Sequence, residues 1–407
     1  MEILNKKQTE IQLKVLDGKN AFITGFAGSG KSYLIEHICK LLTKNCKNYA
    51  LTAMTGCAAL LINGKTLHST LGIGLGKGDP KDLIKKMRKR GLLNDLLRLD
   101  TLIIDEVSML SNDLFDKIAE IFKILHLSDK PFGKLQIILV GDMSQLKPIE
   151  GDYCFYAKYW EECNIEVSVL TENMRVNGDI PFHNLLQDLR FGKVNNIHLI
   201  EKMKLNEFSG EIKPTKLFSR NKEVDSVNQN EFNLLLDSGN ASMVYKIKFN
   251  PVKLKTSKSY VSDNKIPEFI NICIGSQVMI TRNLEPGIVN GTRGIVVDLT
   301  NGIIIKLVNG KNYHVNYFHV KPEFGENQNL DFKYIPLTLS WAMSIHKAQG
   351  ATIDLLEIDL GESIFACGQA YTALSRARNS DSVKITEFNK SSIKVSKSVI
   401  EFYKKYI

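Results

Sequence analysis

Residues 20–42 read NAFITGFAGSGKSYLIEHICKLL: a short apolar strand, then G-x-x-x-x-G-K-[ST] matched at every fixed position, then apolar residues at helical spacing. No other stretch constrains the fold as much, because a strand, this loop and a helix in that order belong to a parallel α/β sheet that binds phosphate. Gly25, Gly28 and Gly30 let successive backbone N–H groups turn inward, and the helix adds its positive N-terminal end. Lys31 is the candidate for reaching the β- and γ-phosphates of ATP, and the Ser32 hydroxyl for ligating Mg²⁺. The whole loop, Gly25, Phe26, Ala27, Gly28, Ser29, Gly30, Lys31 and Ser32, is the candidate ATP-binding segment. Kinases, transporters and motors share such a loop, so what the chain does with a nucleotide must be read elsewhere.

A chain of 407 residues is too long for one simple core. Further apolar strands are expected at 49–53 (YALTA), 101–106 (TLIIDE), 135–142 (LQIILVGD) and 165–170 (IEVSVL), with helices between them. Continuous apolar strands of this kind indicate a parallel sheet covered on both faces. Residues 74–100 are Gly-punctuated and strongly basic and read as a small insertion. After Leu170 a second α/β pattern begins. It is interrupted at about 250–334, where Asn-Gly recurs between short β-rich runs, the strongest short-range hairpin signal. A small antiparallel β module set into the second α/β domain is the expectation.

Two more segments carry chemistry. TLIIDEVSM ends an apolar strand in two carboxylates: Asp105 is the candidate Mg²⁺ ligand and Glu106 the candidate acceptor of a proton from attacking water. LVGDMSQLKPI places Gln145 just past a strand end, where it can report nucleotide state. Hydrolysis also needs positive charge on the developing transition state. Arg175 and Arg376 are candidates, which spacing alone does not select.

Net charge is +9, a balance that suits a polyanionic partner, nucleic acid being the commonest. The seven cysteines show neither C-x-x-C nor zinc-like spacing and read as reduced thiols. No apolar run approaches the ~20 residues of a membrane-spanning helix, and the N-terminal segment lacks signal or transit character. A soluble protein of the nucleus or cytoplasm, without a membrane partner, is expected. The Lys-, Asn- and Ile-rich composition fits an AT-rich genome, such as a viral or protist one.

The order of these motifs resembles that of superfamily 1 helicases, and most closely the Pif1 family, within a wider group that includes Dda-like and RecD-like helicases. The matching pieces are GFAGSGKS, TAMTGCAALLINGKTLHSTLGIGLG, LIIDEVSML, PFGKLQIILVGDMSQLKPI, IGSQVMITRNL with LVNGKNYHV, SWAMSIHKAQGATID and GQAYTALSRAR, spread over residues 4–387. The resemblance implies two RecA-like P-loop NTPase domains with ATP between them. It implies a basic wedge in the first domain and an SH3-like antiparallel insertion in the second. The chain departs from many eukaryotic members in that their long N-terminal extensions are expected to be missing, with little before Leu4 or after Tyr406. The implied boundaries are 1–73 with 99–174, wedge 74–98, 175–250 with 335–407, and β module 251–334. It further implies an ATP-dependent DNA helicase, using Mg²⁺ and moving 5′ to 3′ on single-stranded DNA. Tailed duplex DNA would be its substrate, and it would act as a monomer.

Carried over residue by residue, the resemblance makes Gln8 the adenine contact and Arg175 and Arg376 the two arginines at the γ-phosphate. It places Thr55, Gly56, His68, Ser69, Pro148, His346 and Lys347 on the DNA path. Hydroxyls, amides and cations of this kind grip phosphate without reading sequence. GDMSQLKPI departs from the family's GDFFQLPPV at Met143, Ser144 and Lys147, which bears on the local contact. The cluster KKMRKR (85–90) reads either as a solvated helical face or as a DNA grip, with a nuclear-import signal as a third reading. Two other functions stay open at this point: an RNA-directed helicase or translocase of the same superfamily, and a nucleotide-switched DNA-binding scaffold without unwinding. Relatives act in replication, recombination, repair, telomere maintenance and quadruplex removal, and the sequence does not choose among these.

Overall fold

The structure, a computed structural model, describes residues 4–172, 179–263, 266–285, 287–320 and 331–406. The chain divides into two compact units: residues 1–178, 189–193 and 394–407, and residues 179–188 and 194–393.

The first unit is built on a six-stranded parallel sheet. Its strands are β1 (Ala21–Gly25), β2 (Tyr49–Ala53), β3 (Lys65–Thr66), β4 (Thr101–Asp105), β5 (Gln136–Gly141) and β6 (Glu166–Leu170), in the order β3-β2-β4-β5-β1-β6. Strands β1 and β4 are buried at every position, as continuous apolar runs must be when helices cover both faces. On one face the helix Lys31–Lys44 contributes Leu34, Ile35, Ile38 and Leu42 to a core shared with Ile11 and Val15 of the helix Lys6–Leu16. The sequence misses β3 altogether, because two residues are too few for any periodicity to register.

The basic segment 74–98 does not build a core of its own. Asp79 caps the helix Pro80–Lys89 by accepting from the Asp82 N–H. Leu83 and Met87, one turn apart, are buried in the same cluster as Phe115, Ile118 and Phe122 of the helix Asn112–Leu125. Lys85, Lys86, Arg88, Lys89 and Arg90 are exposed. The methionine within the basic run is therefore its anchor, and the cations form the opposite face.

The C-terminus departs from expectation. The helix Lys397–Tyr403 belongs to the first unit, although the resemblance implies the second domain for residues 335–407. Phe402 stacks on Phe155 at 4.4 Å between ring centroids and meets Phe22 and Trp160 edgewise or tilted. An aromatic side chain docks where a matching apolar hollow exists, and sequence order carries no record of that hollow.

The second unit has its own parallel sheet, ordered Ala342–Ser344, Thr215–Phe218, Leu356–Leu360, Val383–Phe388. Beside it lies a five-stranded antiparallel sheet ordered Asn312–Val315, Ile303–Leu307, Arg293–Asp298, Gln277–Ile280, Leu337–Leu339. The turn after Leu307 contains Asn309-Gly310, with Gly310 at φ 79°, as the hairpin signal requires. Antiparallel pairing extends past both ends of 251–334: Ser242–Lys246 pairs with Phe269–Cys273, and Leu337–Leu339 closes the larger sheet. These outer strands carry no Asn-Gly, so turn chemistry did not flag them.

A buried ion pair ties this β module to the parallel sheet. The Arg293 side chain, with no solvent exposure, meets the Asp354 carboxylate and donates to the Lys213 carbonyl and the Thr215 hydroxyl. Beside it Gly291, at φ 92°, lies so close to Thr352 that a Cβ would stand 2.2 Å from its carbonyl oxygen.

Candidate nucleotide site and nucleic-acid face

Parallel pairing puts the C-terminal ends of all six strands of the first unit at one edge. Thr24 registers with Gly141 across β1 and β5, and Ala53 with Asp105 across β2 and β4. Residues 25–32 leave β1 at that edge, Thr55 and Gly56 follow β2, and His68 and Ser69 follow β3. Asp105 and Glu106 end β4, and Gln145 and Pro148 follow β5. In open α/β sheets ligands bind outside the carboxyl ends of the strands. The concavities lined by Gly18, Lys134 and Gln136 lie at the opposite edge and lack the glycine-rich loop.

The loop needs its glycines for separable reasons. A Cβ on Gly25 would stand 2.6 Å from both the Leu170 carbonyl oxygen and Ser29 Oγ. Gly28 and Gly30 adopt φ 92° and 82°, left-handed values that glycine takes without strain. Gly30 caps the helix Lys31–Lys44 without a side-chain bond. Within the loop, the Ser29 N–H donates to the Phe26 carbonyl at 3.2 Å. Ser29 is 1% exposed, and its hydroxyl has no hydrogen-bond partner among the described residues. Ser32 is exposed at the start of the helix.

Lys31 Nζ donates to the Gly25 and Phe26 carbonyls at 2.8 and 2.9 Å. Burial pulls its pKa down to about 8. The carboxylates of Asp142, Glu106 and Asp105 oppose that shift, and the Arg190 guanidinium reinforces it. Asp105 is pushed up to about 7 by burial and then by the Glu106 carboxylate, against a hydrogen bond from the Glu106 N–H and the charge of Lys31. Glu106 sits at φ 53°, an uncommon value for a residue other than glycine. Gly141 makes room for this bend: a Cβ there would lie 2.9 Å from the Val107 nitrogen.

Gln8 has two tasks. Its Oε1 accepts from the Asn5 N–H and its own N–H donates to Asn5 Oδ1, a capping box for the helix Lys6–Leu16. Its Nε2 is buried without a partner among the described residues. Gln145 Oε1 is likewise buried and unpartnered among them.

The nucleic-acid candidates divide by exposure. Thr55 caps the helix Gly56–Leu61, its hydroxyl accepting from the Ala58 N–H at 3.2 Å. His68 and Ser69, in the helix Leu67–Leu71, are half-buried. Pro148 is buried, whereas its neighbours Lys147 and Ile149 are exposed. Met143 is fully buried in the main core and Ser144 nearly so, so these departures from the family pattern point inward. In the second unit His346 is half-buried, and that burial lowers its pKa; Lys347 beside it is exposed. Arg376 is 4% exposed and donates to the Thr372 carbonyl, the Ala351 carbonyl and the Ser375 hydroxyl. Arg175 falls in 173–178, outside the described residues.

Sequence reasoning passed over three residues of the first unit: Asp142, Arg190 and Tyr403. Asp142 is fully buried, and Arg190, 2% exposed, donates to it from Nε at 3.0 and 3.1 Å. The signal for Arg190 was present: Phe182, Leu186 and Arg190 recur every four residues, which puts an arginine on an apolar helical stripe. Nothing local marks Tyr403.

A parallel α/β sheet with a phosphate loop after its first strand and paired carboxylates after β4 defines a P-loop protein of RecA-like architecture, and a second α/β unit carries an antiparallel insert. The PIF1-like helicase family model matches residues 3–199. The chain is 34% identical to the ATP-dependent DNA helicase PIF1 of Danio rerio, over 99% of its own length and 64% of that protein's. Among solved structures, the crystal structure of Pif1 helicase from Candida albicans matches with a TM-score of 0.81 and 31% identity, covering both chains fully. Pif1 helicase from Bacteroides in complex with ADP-AlF3 and ssDNA matches with a TM-score of 0.72 and 28% identity, over 100% of this chain and 98% of that one. The chain belongs to the Pif1-like helicase family. Its length corresponds to about two thirds of the vertebrate relative, just 64% of it.

Proposed function

We propose that the protein is an ATP-dependent DNA helicase that moves 5′ to 3′ on single-stranded DNA and unwinds tailed duplex, with quadruplex DNA as a further substrate. One observation carries the reading: the phosphate loop, the carboxylate pair and Gln145 converge on a single sheet edge in the first unit, together with the threonine, histidine and serine candidates for DNA. Relatives that match over essentially the whole chain include one described as an ATP-dependent DNA helicase and one solved with ADP-AlF3 and ssDNA.

The residues present fit Mg–ATP. The uncapped first turn of the helix Lys31–Lys44, the Ser29 hydroxyl and Gln8 Nε2, the last two buried without a partner among the described residues, are groups of the kind a nucleotide's phosphates and base require. ATP would supply the phosphoanhydride bond, and Mg²⁺ would supply positive charge to offset that of the phosphates. Ser32 and Asp105 are the residues to hold the metal, whose charge would keep Asp105 ionised despite its burial. Lys31 exchanges its loop carbonyls for phosphate oxygens, which favour its charged form. Glu106 takes the proton of the attacking water, and Gln145 reports the nucleotide's state. Arg175 and Arg376 are the proposed donors of positive charge to the transition state.

Unwinding assays on 5′-tailed, 3′-tailed and quadruplex substrates test the reading. Activity from 5′ tails, abolished with ATP hydrolysis by Lys31→Ala, is expected. Unwinding from 3′ tails alone would reject the polarity. Stronger stimulation of ATP hydrolysis by RNA than by matched DNA would transfer the substrate to RNA, and nucleotide binding without DNA-stimulated phosphate release would leave a scaffold.

A further inference from the structure

The chain's last helix reaches the middle of the first unit's sheet edge. The Tyr403 hydroxyl lies 2.7 Å from Thr24 Oγ1, 2.9 Å from the Met143 nitrogen and 3.0 Å from Asp142 Oδ1. A phenol has one proton to give. Burial and the neighbouring Asp142 carboxylate push its pKa far above the ordinary tyrosine range, so that proton is retained. It goes to the Asp142 carboxylate, and the phenol oxygen then accepts from the Met143 N–H and from the Thr24 hydroxyl. One atom thus bridges the last side chain before the phosphate loop and the first residues after β5.

The Asp142 carboxylate is the hub. It accepts from Arg190 Nε as well as from Tyr403, and from the Ser144 N–H at 3.1 Å. The Arg190 guanidinium is itself stacked over the Tyr403 ring at 4.7 Å and the Phe191 ring at 5.2 Å. The Asp142 carbonyl accepts from the Gln145 N–H at 3.0 Å, closing a tight turn over 142–145. The orientation of the carboxylate therefore sets the turn, and the turn sets where Gln145 points. We propose that Tyr403 and Arg190 are positioning residues for ATP hydrolysis, which hold Asp142, and through it the turn presenting Gln145, in register with the loop that starts at Gly25. The proposal rests on the reading that Gln145 serves the nucleotide.

The test is a cycle on the full chain. Steady-state ATP hydrolysis, stimulated by single-stranded DNA, is measured for the wild type, Tyr403→Phe, Arg190→Lys, Gln145→Ala and each of the first two combined with Gln145→Ala. Tyr403→Phe keeps the ring, and so the packing, while removing the hydroxyl. A fall in kcat of at least tenfold is expected, with KM for ATP and the affinity for a fluorescent ADP within threefold of wild type. The combined variants should be no worse than Gln145→Ala alone, because residues that act as a unit are not additive. A purely structural role would lower the melting temperature and leave kcat intact below it, and that result overturns the proposal. Multiplicative losses in the combined variants overturn it as well. Should Tyr403→Phe not fold, the Arg190→Lys arm carries the same non-additivity test. Wild-type turnover with additive variants sinks this inference alone, whereas a wild type without DNA-stimulated hydrolysis sinks it together with the helicase reading.

Discussion

Replacing Asp354 by alanine removes the partner of a cation that is shut off from solvent. Breaking a buried pair from one side costs about 3–5 kcal/mol, since the remaining charge stays buried. Two features point to the lower end of that range. Arg293 keeps its bonds to the Lys213 carbonyl and the Thr215 hydroxyl, and the Asp354 side chain is 19% exposed, so water can partly replace it. A loss of about 3 kcal/mol, divided by a urea slope of about 2 kcal/mol per M, lowers the unfolding midpoint by about 1.5 M. The two tryptophans make the assay selective: Trp160 lies in the core of the first unit, and Trp341 lies in the second with Phe232 and Cys273. In a Trp160→Phe background, fluorescence follows the second unit alone. A midpoint shift below about 0.5 M would refute the assignment of Arg293 as a desolvated charge that depends on Asp354. Pairing Asp354→Ala with Arg293→Met should recover most of the loss, because an apolar replacement leaves no orphaned charge.

The same assay applied to Gly291→Ala should show at least about 2 kcal/mol of destabilisation, from left-handed strain plus the displacement of the Thr352 carbonyl; a neutral effect would mean that this approach is not close in solution. Thr55→Ala removes a helix cap and should cost about 1 kcal/mol in the first unit, read by Trp160, with or without DNA. Replacing Lys85, Lys86, Arg88 and Lys89 together by glutamine should leave stability unchanged, as all four are exposed. If they grip DNA, the salt dependence of single-strand binding should fall by about 0.7 in slope for each phosphate that is no longer neutralised, and an unchanged slope would identify a solvated face.

Much of the candidate site was legible because the patterns that mark it are local. Gly25 to Ser32 must follow one another for a loop to wrap phosphate, and Asp105 and Glu106 must end an apolar strand to sit at a sheet edge, so spacing alone exposes them. The basic run at 85–90 was legible in charge and not in orientation. Only packing showed that Met87 is buried against the helix Asn112–Leu125 while its cationic neighbours face solvent. Thr55 shows a different limit, since a hydroxyl before a short helix reads equally well as a cap or as a phosphate contact, and the cap is what its geometry displays.

Residue types within a few positions of one another were enough to specify the two α/β patterns, the phosphate loop, the carboxylate pair and the hairpin turns. Which distant residues complete them was settled by packing in three dimensions. Packing brought Tyr403 and Arg190 onto Asp142, returned the C-terminal helix to the first unit and set Arg293 against Asp354. These choices depend on which apolar hollow accepts Phe402 and which buried charge finds a partner. Both are properties of surfaces made from many chain segments, and no window of sequence contains them.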